Sequence, residues 1–494
     1  MHPPGGVRRV IRRLMARRTR PNALPTRSSQ VADEDRAQTA TEQYATLQRP
    51  VLRWIKGDGR DDAITRAAIG QATRLFGPRV DYCLCTNGID AARVRDILAW
   101  SAEPVEWRPV DERDNPRLAD RLQDAGCPPS NFGYWWKWFP DRVRANAPEW
   151  ILDGDMVVTG EPTWFSAWAA GTDTIRISQD DRWSATEGFR YGTYLPLIDL
   201  GEKLYSGLIS LPPGAPYMDR IIGVLDAQPL PAGHDGRTDM CEQGVVAAAF
   251  QQLEHQAIPL AEFPFALANA ETVFHGEAPG EPIWGYHFGL SFRNPNAHFE
   301  RMTSEGSIFS LPHPDVMDRW RWLGSAGQWG VPGWSLPDDC AHAILDQARP
   351  FAGRPTLDLG TSRGRLAGML SDLGCVVTTV DHTDRGARAN LAGLPIDVVI
   401  GDAVDVLRSS RATYDLICVD LHGNTPADWQ RRARPLLRRV RRGGLLLLNN
   451  ARLDELPGWE EEVGVRWLLQ NLPRGWSVEA ALAGPPGVVA LRRR

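Results

Sequence analysis

The sequence predicts an α/β protein with two domains, each built from alternating β-strands and α-helices. From about residue 79 onwards, short apolar runs such as 80–85 and 105–110 alternate with a stretch of helical periodicity at 91–100. A second alternation of the same kind runs from about residue 341 to the end of the chain. A chain of 494 residues is also too long for a single hydrophobic core. Two α/β domains in series are therefore expected.

These alternations divide the chain into four predicted segments. A basic and polar tail covers 1–75, an α/β domain 76–310, a connector rich in Trp and Pro 311–344, and a second α/β domain 345–494. Within the tail, residues 7–18 place apolar side chains on one face of a helix, with arginines around the rest. Such a helix can make a peripheral contact with an anionic membrane, and a disordered basic leader is the alternative.

Composition and charge limit the class of protein. The formal net charge of −5 at pH 7 argues against nucleic acid as a partner. The seven cysteines show no spacing typical of a zinc site, so reduced thiols and a cytoplasmic location are expected, at the inner face of the membrane if residues 7–18 bind lipid. No apolar run reaches the roughly 18 residues of a membrane-spanning helix. Lys56, Lys137 and Lys203 are the only lysines among the 56 basic residues.

A glycine turn in the second domain follows a predicted strand and precedes a predicted helix. The strand covers 356–359 and contains Asp358, and the turn runs from Gly360 to Gly364. Glycine lacks a β-carbon, so a ligand can approach the backbone closely. The next strand ends in Asp381, 23 residues after Asp358. A carboxylate at that position can accept hydrogen bonds from both ribose hydroxyls of a nucleoside.

Further acids follow the later strands of this domain. One strand ends in a turn that contains Asp402 and Ala403, and another ends in Asp420. The last two strands, over 476–482 and 488–491, are predicted to form a closing hairpin. Over residues 345–494 this order resembles that of the class I S-adenosylmethionine-dependent methyltransferases.

The resemblance implies a Rossmann-like domain with a seven-stranded sheet whose last strand is antiparallel. It also implies S-adenosylmethionine as the cofactor, with Asp381 at the ribose. The other residues implied to bind it are Asp358, Gly360, Thr361 and Gly364 around the methionine part, and Asp402 and Ala403 at the adenine edge. A dinucleotide-binding dehydrogenase is the alternative. The turn disfavours it, because Ser362 stands where many such turns carry a third glycine.

Within that class, the segments 357–365 and 420–424 resemble small-molecule O-methyltransferases. The resemblance implies catalytic roles for Asp420 and His422. His422 can be the general base for an acceptor hydroxyl, since its ordinary pKa is near neutral, or it can cap the turn by hydrogen bonding. Metal-dependent relatives carry an Asp-Asn pair after the next strand, where this chain has Asn449 and Asn450. No metal is therefore expected in this domain.

The first domain contains an acidic pair at the end of a predicted buried strand. The strand covers 150–152, and Asp153 and Asp155 follow it with one glycine between them. Two carboxylates so close together can bind one divalent cation, which then neutralises a diphosphate. A plain turn between strand and loop is the alternative.

The surroundings of this pair, over residues 79–296, resemble glycosyltransferases of the GT-A type, which use nucleotide-diphospho-sugars. The predicted fold is thus a GT-A-like domain followed by a Rossmann-like methyltransferase domain. The resemblance implies that Asp153, Asp155 and a late histidine hold Mn²⁺ or Mg²⁺ and the donor diphosphate. His287 is the first candidate for this histidine and His275 the second; the alternative for His287 is a core histidine with satisfied hydrogen bonds.

The same resemblance implies roles for three further charged residues. Lys137 would lie near a phosphate, and Asp239 or Glu242 would lie near the reacting sugar as catalytic acids. A surface lysine on an aromatic patch, and charges at a helix N-terminus, are the respective alternatives. Six aromatic side chains can either stack on sugar rings or form core: Trp135, Trp136, Trp138, Trp183, Tyr191 and Tyr194.

Together these patterns predict a chain with two enzymatic activities. One is methyl transfer to a hydroxyl of a glycan or a small molecule, and the other is metal-dependent sugar transfer from a nucleotide-sugar donor. Two alternatives stay open for the first domain: a glycan- or nucleotide-binding module without catalysis, and an accessory domain of a tailoring methyltransferase. The sequence does not indicate an oligomeric state.

Overall fold

The computed structural model describes residues 49–59, 61–179, 191–237, 241–266, 273–274, 282–288, 299, 311, 313–324, 336–421 and 423–494. Among these residues the chain divides into an upstream unit that ends at Pro314 and a downstream unit that begins at Asp315. In the described part of the chain, no helix combines the length and the apolar character needed to cross a bilayer.

The upstream unit contains two sheets flanked by helices. Its strands are β1 (Val51–Lys56), β2 (Asp81–Thr86), β3 (Val105–Pro109), β4 (Glu149–Asp153), β5 (Met156–Val158), β6 (Ile175–Gln179), β7 (Leu204–Leu211), β8 (His255–Ile258), β9 (Phe265–Ala266), β10 (Val273–Phe274) and β11 (Gly285–His287). Its helices are α1 (Asp62–Phe76), α2 (Ala91–Leu98), α3 (Pro116–Asp124), α4 (Phe165–Ala169), α5 (Tyr217–Ala227) and α6 (Cys241–Phe250).

The larger upstream sheet has the strand order β3-β2-β1-β4-β7-β6-β8. Strands β3, β2, β1 and β4 are parallel, whereas β7 is antiparallel to both β4 and β6. The chain leaves β1 towards β2 on one side and later returns to β4 on the other. The carboxyl ends of β1 and β4 therefore form a topological switch point, where open α/β sheets bind their ligands. Asp153, the last residue of β4, lies at this point.

The upstream unit begins earlier than the sequence analysis placed it. Residues 51–75, assigned there to the tail, form β1 in the middle of the sheet and nearly all of α1. The strand was missed because Arg53 and Lys56 interrupt its apolar pattern. Both side chains are nevertheless buried, and Arg53 forms an ion pair of 3.0 Å with the buried Glu149. A charged residue predicts an exposed position in the sequence, unless the partner that neutralises it in the interior is known.

A second, four-stranded sheet has the order β10-β9-β11-β5. Strand β5 follows β4 after a two-residue turn and pairs antiparallel with β11. This pairing sets His287 opposite Met156, the residue after Asp155. The turn after β4 and the end of β11 are therefore neighbours, although 132 residues separate Asp155 from His287.

The downstream unit contains one sheet covered by helices. Its strands are β12 (Pro355–Leu359), β13 (Val376–Asp381), β14 (Ile396–Ile400), β15 (Tyr414–Val419), β16 (Val440–Leu448), β17 (Trp476–Leu482) and β18 (Val488–Arg493). Its helices are α7 (Val316–Arg319), α8 (Asp338–Ala348), α9 (Arg365–Asp372), α10 (Ala387–Asn390), α11 (Ala403–Ser409), α12 (Pro426–Arg439) and α13 (Gly464–Gln470). Helices α7 and α8 begin inside the predicted connector 311–344, so its residues 315–324 and 336–344 belong to this unit.

The downstream sheet has the order β14-β13-β12-β15-β16-β18-β17. The five strands β12 to β16 are parallel to one another, and β18 runs antiparallel to both β16 and β17. The predicted seven-stranded sheet with an antiparallel last strand is confirmed. The strand order reverses between β12 and β15, so the switch point of this sheet lies at their carboxyl ends.

Each unit has its own apolar core. In the upstream unit the core includes the aromatic side chains whose role the sequence left open: Trp135, Trp136, Trp138, Tyr191 and Tyr194 are all buried. Trp183, the sixth of that group, lies outside the described residues. In the downstream unit the core is largely aliphatic and includes Leu446, Leu448 and Leu491 from the middle of the sheet. Burial of such side chains is the main stabilising contribution in both units.

Candidate functional sites

The glycine turn after β12 makes a backbone contact that only glycine permits. Gly360 has a φ of 102°, and a β-carbon there would lie 1.9 Å from the carbonyl oxygen of Asp420. Gly364 has a φ of 101°, and its β-carbon would lie 2.8 Å from the side chain of Leu391. Ser362, between them, also has a positive φ of 49°. The turn therefore needs glycine at both ends, as the sequence predicted, for conformation and for space.

Asp381 at the end of β13 holds this turn in place. Its carboxylate accepts hydrogen bonds from the backbone N–H groups of Ser362, at 2.8 Å, and of Thr383, at 3.2 Å. The side chain of His382 approaches the same carboxylate, with Nδ1 at 3.1 Å from Oδ1. The acid predicted to bind ribose therefore also fixes the backbone around which a ligand would bind.

A cavity of about 290 Å³ lies at the switch point of the downstream sheet. It brings together three of the predicted residues: Gly360, Asp381 and Asp420. Its other lining residues are Pro337, Ser362, His382, Arg385, Leu421, Gly423, Asn424, Asn449, Asn450, Leu453, Leu456, Trp459, Glu462 and Pro486. The remaining predicted cofactor residues do not line it: Asp358, Thr361, Gly364, Asp402 and Ala403.

Asp358 lies beneath the turn rather than in the cavity. Its Oδ2 accepts a hydrogen bond of 2.7 Å from Thr379, whose hydroxyl lies 2.5 Å from that of Thr361. Burial raises the pKa of Asp358 to about 7, because a charged carboxylate is costly away from water. Asp402 instead caps helix α11, accepting from the backbone N–H of Val404 at 2.8 Å.

Asp420 forms a cluster with two asparagines that follow β16. The amide nitrogens of Asn449 and Asn450 both donate to Oδ1 of Asp420, at 2.9 and 3.1 Å. Burial raises the pKa of Asp420 to about 6, although the two amide hydrogen bonds oppose this shift. In the sequence the two asparagines indicated only a departure from a metal site. Their contact with Asp420 could have been expected, because β15 and β16 are neighbouring parallel strands that end at the same edge.

Besides Trp183, three residues singled out from the sequence lie outside the described residues: His422, Asp239 and His275. The catalytic roles predicted for His422 and Asp239, and the role of His275 as alternative metal ligand, stay predictions.

The upstream switch point holds a potential metal site. Ligand atoms of Asp153, Asp155 and His287 all lie within 4.8 Å of one another. The Nε2 atom of His287 is 3.2 Å from Oδ1 of Asp155 and 3.9 Å from Oδ2 of Asp153. Burial raises the pKa of Asp153. Burial acts in the same direction on Asp155, but the charge interaction and hydrogen bond with His287, a backbone hydrogen bond and Lys137 together lower the pKa of Asp155. Two carboxylates and an imidazole are ligands that Mn²⁺ accepts.

Lys137 is saturated with hydrogen-bond acceptors inside the protein. Its ammonium group lies 2.5 Å from Oδ1 of Asp153 and donates to both the carbonyl oxygen, at 2.8 Å, and the hydroxyl, at 3.0 Å, of Ser206. An ammonium has three N–H donors, and these three acceptors use them all. Although burial alone would lower the pKa of Lys137, the carboxylates of Asp153 and Glu242 raise it, so the group stays charged.

Glu242 on α6 completes this buried chain of polar groups. Its Oε1 accepts from the indole N–H of Trp138, at 2.8 Å, and its Oε2 from the hydroxyl of Ser206, at 3.3 Å. Burial raises the pKa of Glu242 above its usual range. Ser206 thus links Glu242 to Lys137 and, through it, to Asp153. No single-sequence pattern marked Ser206 for this role.

Comparison with known proteins bears on part of the chain. No protein-family model matches it. A ubiquinone biosynthesis O-methyltransferase of Thiobacillus denitrificans is 24% identical over 155 residues, which are 30% of this chain and 66% of that protein, so the chain spans just under two thirds of this relative.

Among solved structures, two similar proteins are O-methyltransferases. TomG of Streptomyces achromogenes, involved in tomaymycin synthesis and in complex with S-adenosylmethionine, is 17% identical with a TM-score of 0.31, covering 39% of this chain and 96% of its own. The Bacillus cereus O-methyltransferase, in complex with S-adenosylhomocysteine, is 19% identical with a TM-score of 0.30, covering 40% and 97%. Over 30% of its length, the chain is therefore similar in sequence to an O-methyltransferase.

Proposed function

We propose that the downstream unit transfers a methyl group from S-adenosylmethionine to a hydroxyl oxygen. The observation that carries this proposal is the cavity at the switch point, which joins the Gly360 turn, Asp381 and Asp420. A glycine turn without β-carbons suits the close approach of a ligand, and an acid at the end of the second strand suits a ribose. The similarity to an O-methyltransferase of Thiobacillus denitrificans supports the same class of reaction.

When bound, S-adenosylmethionine supplies an electrophilic methyl group on a positively charged sulfur. The protein has to hold the acceptor oxygen in line with that group and remove its proton. Asp420 is proposed for the second task, because it lines the cavity and only its Oδ1 receives the two amide hydrogen bonds. Its Oδ2 has no donor among the side chains that the structure describes and is available to an acceptor hydroxyl.

Replacing Asp381 by alanine is expected to weaken binding of S-adenosylhomocysteine at least about 100-fold. The variant loses the charge-assisted hydrogen bonds to the ribose, each worth roughly 1.5–3 kcal/mol, and also the anchor of Ser362. Asp381→Asn keeps one acceptor oxygen and should fall between the two. Isothermal titration calorimetry measures the affinity, and Asp397→Ala, an exposed acid on the neighbouring β14, is the matched control. Equal affinity in Asp381→Ala and the unaltered chain would contradict the proposed cofactor site.

For the upstream unit we propose metal-dependent transfer of a sugar from a nucleotide-diphospho-sugar. The support is the position of Asp153, Asp155 and His287 at the switch point of the larger sheet, with ligand atoms close enough for one cation. When bound, Mn²⁺ or Mg²⁺ neutralises the diphosphate leaving group. Lys137 would act on the donor only through Asp153, because its own donors are used.

Replacing Asp155 by alanine is expected to abolish Mn²⁺-dependent binding of UDP- and GDP-sugars by the full chain. Replacing a direct metal ligand should lower the metal affinity by more than the roughly 10–100-fold that is typical for residues that only hydrogen-bond to a ligand. Calorimetry with and without Mn²⁺ provides the measurement, and Asp226→Ala, an exposed acid paired with Arg121, provides the control. Sugar binding that ignores both the metal and the substitution would favour the non-catalytic glycan- or nucleotide-binding module.

The two proposed activities would act on the same class of compound if the methyl acceptor is a glycan. A sugar hydroxyl, on a product that the upstream unit extends, is the acceptor we propose, and the support is the presence of both units in one chain. The test is incubation of the full chain with labelled S-adenosylmethionine and a panel of oligosaccharides. Label transferred only to non-carbohydrate hydroxyl compounds would refute the glycan acceptor and leave the methyltransferase.

A further inference from the structure

At the polar end of the downstream cavity, the side-chain amides beside Asp420 direct N–H groups at its carboxylate. In a metal site, oxygen atoms would occupy these positions and face the ion. Both amide nitrogens, from Asn449 and Asn450, point at Oδ1 of Asp420. The Asn449 nitrogen also lies 3.4 Å from Oδ1 of Asn450, so two acceptors fix which end of the Asn449 amide is nitrogen. A cation shared by Asp420 and Asn449 would meet N–H groups at this place.

The amide oxygen of Asn449 is buried and accepts no hydrogen bond from any residue that the structure describes. To become a metal ligand it would have to turn towards Asp420 and give up the hydrogen bond of 2.9 Å. Amide oxygens do bind hard divalent cations, but the affinity depends on the number of charged ligands, and this cluster has one carboxylate and two neutral amides. The cluster therefore suits hydrogen bonding to Asp420 better than it suits a metal ion.

We propose that this chain binds its methyl acceptor directly on Asp420, with the two amides taking the place of a metal. The inference rests on the proposed methyltransferase function. The amide N–H groups stabilise the carboxylate and fix its orientation, which leaves Oδ2 for one acceptor hydroxyl. Asn450 has a φ of 62°, in the left-handed region that asparagine tolerates, and this conformation aims its amide at Asp420.

The proton balance of the step needs no further reactant. The acceptor O–H bond breaks and its proton goes to Oδ2 of Asp420, while the oxygen forms a bond to the methyl carbon. The electrons of the carbon–sulfur bond remain on sulfur, which becomes a neutral thioether. The proton on Asp420 is then lost to water through the open cavity.

This arrangement also limits the class of acceptor. Chelation to a metal requires two adjacent hydroxyls, whereas a carboxylate base needs only one, so a lone alcohol or sugar hydroxyl is sufficient. In the absence of a metal ion, the carboxylates of Asp420, Asp381 and Glu462 outnumber the guanidinium of Arg385 among the lining residues, which disfavours acceptors that carry a carboxylate or phosphate beside the hydroxyl. The apolar side chains of Leu453, Leu456 and Trp459 offer a surface for the uncharged part of such a molecule. The acceptor is thus an uncharged hydroxyl compound.

The test is to create the missing cation site by one substitution. Asn449→Asp sets a second carboxylate beside Asp420, and two adjacent carboxylates bind a divalent cation. The host is the full chain with Asp155→Ala, which silences the upstream site. Electron paramagnetic resonance with Mn²⁺ is expected to detect no bound ion in the host and one in the host with Asn449→Asp. Asn471→Asp, at an exposed asparagine, adds the same charge elsewhere and should bind none.

Two results would overturn the inference. One is Mn²⁺ bound by the host itself and released by Asp420→Asn, and the other is no gain of Mn²⁺ in Asn449→Asp. Binding of S-adenosylhomocysteine, measured separately by calorimetry on the same proteins, tests the proposed function. If the unaltered chain does not bind S-adenosylhomocysteine, the methyltransferase proposal fails, whereas the number of Mn²⁺ ions bound by each variant stays the same.

Discussion

Replacing Lys137 by methionine is expected to destabilise the upstream unit by roughly 3–5 kcal/mol, the usual cost of removing one partner of a buried ion pair. Lys137 is buried and is the cation that faces both Asp153 and Glu242. Methionine preserves the length of the side chain but leaves the two carboxylates repelling each other. Urea unfolding followed by tryptophan fluorescence measures the effect as a lower midpoint of the upstream transition.

Two further variants separate charge from packing in this result. Lys203→Met makes the same chemical change at the third lysine, outside the buried cluster, and should cost less than about 1 kcal/mol. Adding Glu242→Gln to Lys137→Met removes one of the unpaired charges while retaining hydrogen-bond partners for Trp138 and Ser206. Part of the lost stability should return. An unchanged midpoint in Lys137→Met would mean that the ammonium does not stabilise the cluster.

Replacing Asp420 by asparagine is expected to reduce the rate of methyl transfer by about 10²- to 10⁴-fold, the range that a general base supplies. The variant keeps the shape of the side chain and an oxygen for the amides of Asn449 and Asn450. Affinity for S-adenosylhomocysteine should therefore change little, which distinguishes loss of the base from loss of the cofactor site. Asp415→Asn is the control, because Asp415 lies on β15, the strand that precedes Asp420, and is paired with Arg441.

The pH dependence gives a second signature of the same base. The pKa of Asp420 is raised to about 6, and the base must be ionised to accept a proton. The rate in the unaltered chain should consequently fall as the pH drops through about 6 and level off above it. In Asp420→Asn this limb should disappear from the profile. The rates come from transfer of labelled methyl groups to one fixed oligosaccharide acceptor, and a profile identical in both proteins would exclude Asp420 as the base.

The downstream sheet could be predicted from the sequence because the limits of its strands are clear there. The predicted strands 356–359 and 476–482 lie within one residue of β12 and β17, and the predicted 488–491 ends two residues before β18 does. Strand β1 was not predicted, since its two charged residues are buried in ion pairs that a single sequence does not show: Arg53 with the distant Glu149, and Lys56 with Asp61 and Asp62.

The residues of the candidate sites could be predicted from the sequence where they lie at the end of a strand. Asp153 and Asp155 were predicted from their place after a strand, and His287 from the resemblance to GT-A glycosyltransferases; the structure brings the three together. The connection from Glu242 through Ser206 to Lys137 was not visible in the sequence. It joins an α-helix, a strand and a short 3₁₀-helix, and only their packing makes the residues neighbours. Similarly, Asn449 and Asn450 can be seen as donors only once their amide orientation is known.

The contact between Gly360 and the backbone of Asp420 couples the positions of two loops. The loop proposed to bind the methyl donor and the loop that carries Asp420 touch without an intervening side chain, so neither can shift without moving the other. If the proposed function holds, a substitution for a bulkier acceptor that displaced Asp420 would also weaken binding of the donor. Lining side chains outside this contact, such as those of Leu453 and Leu456, are the better positions for redesign.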